Sequence, residues 1–183
     1  SDLDVVPGEQ HENKNKAEYF VETRNGETDL LRALNRSFDK ETGLIALDRA
    51  AHTAQDFPFD YGFVPQTLWH DNDPVDVIIL ATFPLMPGVL VKVRPVAIMN
   101  MTDSGEGDDK IIAVPVSDPR WDEVADLSDL NKHTLKEIEH FYSTYKKLQN
   151  KEVEVHGFKG KNAAEAAFEQ GKRLYEEKYA KLK

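Results

Sequence analysis

The residues best suited to chemistry lie in one short acidic segment, residues 70–77. Asp71, Asp73 and Asp76 fall within six positions, and Pro74 among them disfavours a plain helix. Carboxylates this close together repel one another unless protons or cations lie between them. Oxygen ligands at this density are those that Mg²⁺, Mn²⁺ and Ca²⁺ prefer. The segment therefore indicates either a divalent-cation site or a solvated acidic turn, and the residues alone leave both interpretations open.

A second acidic cluster occupies residues 103–109, and Lys110 follows it directly. The cluster lies in the loop that we expect after a long alternating strand. Successive hairpin loops at one end of a barrel can converge, so the two acidic segments can face one mouth and hold several divalent cations. The alternative is a simple turn, because Asp, Gly and Ser are common turn residues.

Two other motifs match the sequence only in part and are rejected as functional sites. An EF-hand calcium loop is rejected because Val75 fills its third acidic position and Thr82 the place of its final glutamate. Ser143 to Lys146 matches the S-x-x-K motif of Ser/Lys acyl enzymes, but the companion S-D-N and K-T-G motifs are missing. Tyr145 and Lys146 end a helical stripe, and their ordinary structural roles would be a core aromatic residue and a surface charge.

Apolar patterning predicts the elements that must position these residues. The predicted strands are residues 44–47, 62–69, 75–83, 89–99, 111–116 and 153–157, and the predicted helices are residues 131–150 and a C-terminal helix capped by Asn162. Residues 19–21 look strand-like and residues 27–34 have helical spacing, so the first part of the chain stays open. The order predicts a single α+β domain over residues 1–183, a small closed antiparallel β-barrel (OB-like) with helices packed outside.

Composition and charge exclude several functional classes. The 183 residues carry a formal net charge of −10, which argues against binding to nucleic acid or to an anionic membrane. The chain has no cysteine, so disulfides, thiolate metal sites and cysteine nucleophiles are excluded. Residues 1–16 are polar and lack the apolar core of a secretory signal, and no apolar run is long enough to span a bilayer. We therefore expect a cytoplasmic protein.

Several short motifs occur in a fixed order along the chain. Asp48-Arg49, Asp60-Tyr61-Gly62 and the pattern D-x-D-P-x-D-V at residues 71–77 are followed by Met101-Thr102-Asp103, Asp108-x-Lys110 and His140-Phe141. In this set the sequence resembles the soluble, magnesium-dependent inorganic pyrophosphatases that consist of one small barrel domain. The resemblance implies hydrolysis of inorganic pyrophosphate to two phosphates, with several Mg²⁺ ions in each active site and Mn²⁺ as an alternative. It also implies a homo-oligomer, which in prokaryotic relatives is usually a hexamer.

The same resemblance assigns roles to individual residues. Asp71, Asp76 and Asp108 match ligands of the first metal, and Asp76 would also reach a second. Asp103 and Asp108 would hold metal that enters with the substrate. Asp73 matches the family's proton acceptor. The residues that match its phosphate contacts are Arg49, Tyr61, Lys110, Tyr145 and Lys146.

The sequence departs from the family's pattern in two places. Phe57 stands where the family usually has a tyrosine. In the early strand, Asn35 and Ser37 occupy the places of a lysine and a glutamate. The first glutamate of that region could be replaced by Glu22 or Glu27, and the lysine by Arg32 or Arg36. These departures support the alternative of a non-catalytic descendant that keeps the barrel and binds metal or a partner.

Overall fold

The computed structural model describes residues 19–25, 34–39 and 44–179, with side chains described from residue 50 onward. The strands in this part of the chain are β1 (Tyr19–Asn25), β2 (Leu34–Asp39), β3 (Leu44–Ala50), β4 (Asp60–Phe63), β5 (Asp76–Ile79), β6 (Leu90–Asp103), β7 (Glu106–Gly107), β8 (Lys110–Pro115) and β9 (Val153–Gly160). The helices are α1 (Lys132–Thr144) and α2 (Lys161–Tyr179), and short 3₁₀ turns lie at residues 119–121, 127–129 and 147–149.

The larger sheet is mixed. Its strand order is β1-β4-β5-β8-β6-β7, and β9 pairs with β6. β5 and β8 run parallel, with Asp76 opposite Lys110, whereas the other pairs are antiparallel. The prediction of an antiparallel sheet is therefore wrong at the β5–β8 pair, because a long connection through β6 and β7 returns the chain to the same end. β2 and β3 form a separate two-stranded sheet.

The pairing of β1 bears on the predicted barrel. Tyr19–Glu22 pairs with β6, and Glu22–Asn25 pairs with β4. Each half of β1 is thus paired on one side, and the two ladders meet at Glu22. In the described residues, the ladder to β6 and the ladder to β4 lie on different halves of β1 and share only Glu22. The closed barrel is therefore not confirmed. A mixed sheet with helices packed against it is what the structure shows.

The two central strands, β5 and β8, are buried on both faces, which accounts for their continuous apolar sequences. One face joins a core cluster with α2 that includes Val77, Ile79, Ala164 and Phe168. The other face joins a cluster with α1 that includes Ile78, Leu80, Ile138 and Tyr142. Each fully buried aliphatic side chain stabilises the fold by about 1.5–3 kcal/mol. Asp76 and Lys110 begin these two strands, so they are attached to the fully buried centre of the sheet.

Several predicted boundaries move. The strand predicted at residues 62–69 ends at Phe63, because Pro65 and the left-handed Gln66 (φ 57°) turn the chain. The strand predicted at 75–83 ends at Ile79, and the one predicted at 89–99 continues to Asp103 as β6. Of the helical spacing at residues 27–34, only the last residue lies in the described part of the chain, where it begins β2.

The two helices near the C-terminus are confirmed, with changes at their ends. α1 stops at Thr144 rather than continuing to residue 150. α2 begins at Lys161, whose backbone N–H donates to Asp126 Oδ1 over 2.7 Å. The cap therefore comes from a distant loop, and the prediction of Asn162 as the cap is wrong. None of the helices in the described residues combines the length and the apolar character needed to cross a bilayer.

Candidate active site

The acidic segment belongs to a tightly bonded loop between β4 and β5. The Thr67 hydroxyl, which is buried, donates to the Val64 carbonyl over 2.6 Å and accepts the Val75 N–H over 2.9 Å. Farther along, Asp71 Oδ1 accepts the backbone N–H of Asp73 over 3.0 Å. These bonds fix the loop at its base and at its tip. The loop therefore presents its carboxylates in a defined order rather than as a solvated tail.

Helix α2 holds the same loop from outside. The Leu68 N–H donates to the Gly171 carbonyl over 3.0 Å. A Cβ at position 171 would lie 2.4 Å from Val75 Cγ2, so only glycine allows this approach without displacement. At the tip, the Lys178 ammonium donates to Asn72 Oδ1 over 3.3 Å. The position of the acidic loop thus depends on a helix about 100 residues later in the chain.

At the start of the central strands, one buried cation lies between two carboxylates. Lys110 Nζ is 2.6 Å from Asp76 Oδ2 and also contacts Asp108 Oδ1. Only 3% of the Lys110 side chain is exposed. The parallel register of β5 and β8, with Asp76 opposite Lys110, produces this arrangement.

The electrostatics of this group are those of a crowded, buried site. Burial raises the pKa of Asp108 to about 6, since desolvation and the charges of Asp76 and Asp71 outweigh the nearby lysine. Burial lowers the pKa of Lys110, but the charges of Asp76 and Asp108 raise it overall, so the ammonium stays charged. Asp108 is therefore a carboxylate that an added cation would readily keep ionised.

The second acidic loop is held by a residue that the sequence analysis did not single out. Asp109 accepts the Met101 N–H and the Asn100 side-chain amide, each over 3.0 Å. The N–H of Asp108 donates to the Met101 carbonyl over 3.0 Å. Asp109 therefore works as an anchor between β6 and β8, and it leaves Asp108 to face Asp76. Four acids lie within residues 103–109, so sequence alone could not distinguish the anchor from the site residues.

The tyrosine–lysine pair lies beside this loop. Lys146 Nζ contacts Asp103 Oδ2 and lies 5.2 Å from the centre of the Tyr145 ring. Burial lowers the pKa of Lys146, but Tyr145 and Asp103 raise it overall. Burial raises the pKa of the Tyr145 hydroxyl, which therefore keeps its proton at neutral pH. The alternative of a solvated surface charge does not describe Lys146, because only 15% of its side chain is exposed and it is paired with Asp103.

An aromatic group lies between the two lysine sites. The Phe57 ring is 5.7 Å from Tyr61 and 6.4 Å from Tyr145, measured between centroids. The Tyr61 ring lies 5.7 Å from Lys110 Nζ. Phe57 thus packs between two tyrosines of the site and offers no hydroxyl of its own. The sequence analysis did not identify Tyr142 as a neighbour of the site, because its place in the apolar stripe of α1 indicated only a core residue. Burial raises the pKa of the Tyr142 hydroxyl well above the usual value.

The predicted site residues therefore fall into groups. Asp76, Asp108, Lys110 and Tyr61 lie together, and Asp103, Tyr145 and Lys146 form a second group. Asp71 is near enough for its charge to act on Asp108, whereas Asp73 is exposed on the loop. Arg49 lies on β3 opposite Asn35, and its side chain is not among those described. Glu27 and Arg32 lie outside the described residues.

The donor set suits a divalent cation. Asp71, Asp76, Asp103 and Asp108 offer only carboxylate oxygen, the ligand type of hard metal ions. In the described part of the chain, no three acidic or histidine side chains form a ready metal cage, and Lys110 stands between Asp76 and Asp108. A cation binding to these carboxylates would therefore have to displace the lysine.

Carboxylates of metal-ligand type beside buried cations fit a class of metal-dependent enzymes that act on phosphates. The family model for inorganic pyrophosphatase matches residues 26–176 of this chain. An inorganic pyrophosphatase from Haloferax volcanii is 49% identical over 144 residues, which are 78% of this chain and 81% of that protein.

Solved structures agree. An inorganic pyrophosphatase from Helicobacter pylori matches with a TM-score of 0.81 and 37% identity, covering 90% of this chain and 99% of that one. One from Coxiella burnetii matches with a TM-score of 0.82 and 35% identity, covering 88% and 97%. The chain belongs to the inorganic pyrophosphatase family, which confirms the resemblance of its motifs. This family generally uses divalent metal ions.

Proposed function

We propose that this chain hydrolyses inorganic pyrophosphate to two phosphates, using a metal-activated water and Asp73 as the proton acceptor. The activity follows from membership of the family. The observation that supports the site is the contact of Lys110 with both Asp76 and Asp108. Carboxylates that can bind metal and an ammonium group that can bind phosphate therefore lie side by side. The non-catalytic alternative rests only on the early departures, and one of them, Phe57, packs against Tyr61 and Tyr145 of the site.

The charges of substrate and protein explain why metal is needed. Pyrophosphate is a compact, multiply charged anion, and the chain itself carries a net charge of −10. Asp71, Asp76, Asp103 and Asp108 would hold the cations, which we propose to be Mg²⁺, with Mn²⁺ as a substitute. When bound, these ions neutralise charge on the substrate and lower the pKa of the attacking water.

The chain's own residues would perform the remaining steps. Asp73 is exposed at the loop tip, where its carboxylate would accept a proton from the attacking water as the water oxygen forms a bond to phosphorus. The bridging P–O bond breaks, and the electron pair leaves with the second phosphate. The groups that would neutralise the phosphoryl oxygens and the leaving phosphate are Arg49, Lys110 and Lys146, with the hydroxyls of Tyr61 and Tyr145.

Several wider properties belong to the same proposal. We propose one domain, a cytoplasmic location and a homo-oligomer, which by resemblance is a hexamer. Large apolar side chains exposed at Phe83, Met86 and Leu90 support self-association, since exposed apolar patches commonly mark interfaces. Light scattering after size-exclusion chromatography measures the mass, and a monomer of 20.8 kDa would contradict the oligomer.

The direct test is release of phosphate from pyrophosphate, with and without Mg²⁺. We expect release that requires the metal and stops on chelation. Asn162→Ala is the control variant, because this residue is exposed on α2 and has no proposed role in the site. A folded chain that binds Mg²⁺ but releases no phosphate would establish the non-catalytic alternative instead.

A further inference from the structure

The lysines proposed to bind phosphate are held by the carboxylates proposed to bind metal. Lys110 Nζ is 2.6 Å from Asp76 Oδ2 and contacts Asp108, and Lys146 contacts Asp103. Both halves of the site show the same pairing. In this arrangement, the positive and negative groups of the site neutralise one another.

These pairs oppose the binding of an anion on its own. The Lys110 side chain is 3% exposed and that of Asp76 is 10% exposed. Moving the ammonium group away would leave buried carboxylates without a counter-charge, which is strongly unfavourable. Lys110 can turn to a phosphate only when another cation takes its place beside Asp76 and Asp108.

Each lysine also has an alternative contact close by. Lys110 Nζ lies 5.7 Å from the centre of the Tyr61 ring, and Lys146 Nζ lies 5.2 Å from the centre of the Tyr145 ring. An ammonium group is attracted to an aromatic face at about 6 Å or less. A released lysine would therefore stay over its tyrosine, next to the phosphate site, rather than move into solvent.

We propose that Lys110 and Lys146 exchange partners when divalent cations bind: their carboxylates pass to the metal, and the ammonium groups turn to the anion. This inference rests on the proposed function, because it takes the assigned roles of both sets of residues. Its consequence is an order of binding. Metal binds first and competes with the lysines, and pyrophosphate binds well only after the lysines have been released.

The competition can be measured without any turnover. Mg²⁺ affinity is determined by isothermal titration calorimetry on metal-free parent, Lys110→Gln and Lys159→Gln, the last being an exposed lysine on β9. The titrations are made at about pH 8.5, so that protons compete little for the carboxylates. Because the parent must break a buried ion pair before the metal enters, we expect Lys110→Gln to bind Mg²⁺ at least about tenfold more tightly. Lys159→Gln should match the parent.

Salt separates direct competition from a general effect of charge. Each titration is repeated at about 0.02 M and about 0.5 M NaCl, since salt screens distant charges and affects a buried pair much less. Partner exchange predicts that the gain in Lys110→Gln persists at high salt. A gain that disappears at high salt, or no gain at all, would overturn the inference.

A second variant covers the case in which Lys110→Gln does not fold. The side chain of Lys146 is 15% exposed, against 3% for Lys110, so Lys146→Gln should disturb the packing of the core less than Lys110→Gln. Tighter Mg²⁺ binding in this variant at high salt supports the exchange, and unchanged binding contradicts it. Phosphate release by the parent is measured in parallel. A parent that is active while both variants bind Mg²⁺ like the parent overturns the exchange alone, whereas an inactive parent overturns the proposed function.

Discussion

At the scale of single residues, the carboxylates of the site differ in what surrounds them. Asp76 is buried and ion-paired, whereas Asp73 is exposed at the tip of the loop and its backbone N–H is bonded to Asp71. A buried, paired carboxylate is suited to hold a metal in a fixed place. An exposed one is free to meet a water and accept its proton. Removing the charge of Asp73 and removing the charge of Asp76 should therefore change different kinetic properties of the enzyme.

The first prediction compares Asp73→Asn with Asp76→Asn. Asp73→Asn should slow turnover by about 10²–10⁴-fold, the usual contribution of a positioned proton acceptor. Its Mg²⁺ requirement should stay close to that of the parent. Asp76→Asn should instead raise the Mg²⁺ concentration needed for activity, because a metal ligand is lost. Steady-state phosphate release over a range of Mg²⁺ concentrations measures both. Near-normal turnover in Asp73→Asn would mean that another group accepts the proton.

A second prediction concerns the hydroxyl of Tyr145. Its ring packs on Phe141, with centroids 5.1 Å apart, and burial raises its pKa so that the hydroxyl remains a donor. Tyr145→Phe keeps the ring and removes only this donor. We expect a loss in kcat or an increase in KM for pyrophosphate, with little change in unfolding temperature. If kinetics and unfolding temperature both match the parent, Tyr145 is only a core residue.

The third prediction concerns the lysine that the early strand lacks. Asn35, in its place, lies opposite Arg49 in the β2–β3 ladder, and Arg36 is the next residue of β2. The helical spacing of residues 27–34 does not continue to Arg36, which lies on β2. If the chain has ordinary activity, we expect one arginine to supply the missing cation, since a guanidinium can bind phosphate bidentately.

Separate Arg32→Ala and Arg36→Ala variants test this point through KM and kcat. Loss in one variant identifies the substitute. Equal activity of both variants and the parent would show that the family's lysine is dispensable here.

At the scale of elements, the site depends on contacts between distant parts of the chain. The apolar runs predicted strands at β5 and β8, and the stripe Leu135, Ile138, Tyr142 predicted α1. The parallel pairing of β5 with β8 puts Asp76 beside Lys110. This pairing could not be predicted, because no local pattern encodes which strands become neighbours. The ion pair at the centre of the site follows from that register. Sequence therefore supplied the residue types, and the pairing of strands supplied their geometry.

Two errors in the predicted elements have the same origin. Residues 64–69 are apolar enough for a strand, yet Leu68 and Trp69 are buried in a loop whose backbone bonds to α2. Likewise, α2 is capped by Asp126, 35 positions before its first residue. Apolar content indicates burial but not the element that is buried, and a cap from a distant loop leaves no local signal. Tertiary contacts decided both cases.

The fourth prediction tests the contact between α2 and the acidic loop. In an ordinary helix, Gly→Ala is favourable by about 1 kcal/mol. Gly171→Ala should instead lower the unfolding temperature, because the new Cβ would lie 2.4 Å from Val75 Cγ2. It should also raise the Mg²⁺ requirement, since the loop carrying Asp71 moves with Val75. Gly107→Ala is the control for stability, because its added Cβ meets nothing within 4 Å. A stabilised and fully active Gly171→Ala would show that α2 does not position the loop.

At the scale of the whole molecule, the excess of negative charge couples stability to metal. The chain carries 33 acidic and 23 Lys or Arg residues, and seven of the acids lie in residues 71–76 and 103–109, at or just before the starts of the two central strands. Lys110 and Lys146 balance only part of this negative charge. Repulsion among the acids of the two loops therefore still works against the folded state when no divalent cation is bound. Family membership and the excess of negative charge therefore lead to one expectation: the protein should be most stable with divalent ions bound.

The fifth prediction is therefore that Mg²⁺ raises the unfolding temperature and that chelation lowers it. A ligand that binds only the folded state stabilises it by about 2.7 kcal/mol at 100 times its dissociation constant. NaCl at matched ionic strength controls for general screening, which acts over the whole surface and does not need a site. Asp76→Asn is the matched variant, because it removes one proposed ligand with little change in shape, and its stabilisation by Mg²⁺ should be smaller. Thermal unfolding followed by circular dichroism measures each case. Equal stabilisation by NaCl and Mg²⁺, or equal stabilisation of parent and Asp76→Asn by Mg²⁺, would show that the carboxylates at β5 and β8 do not hold the ion.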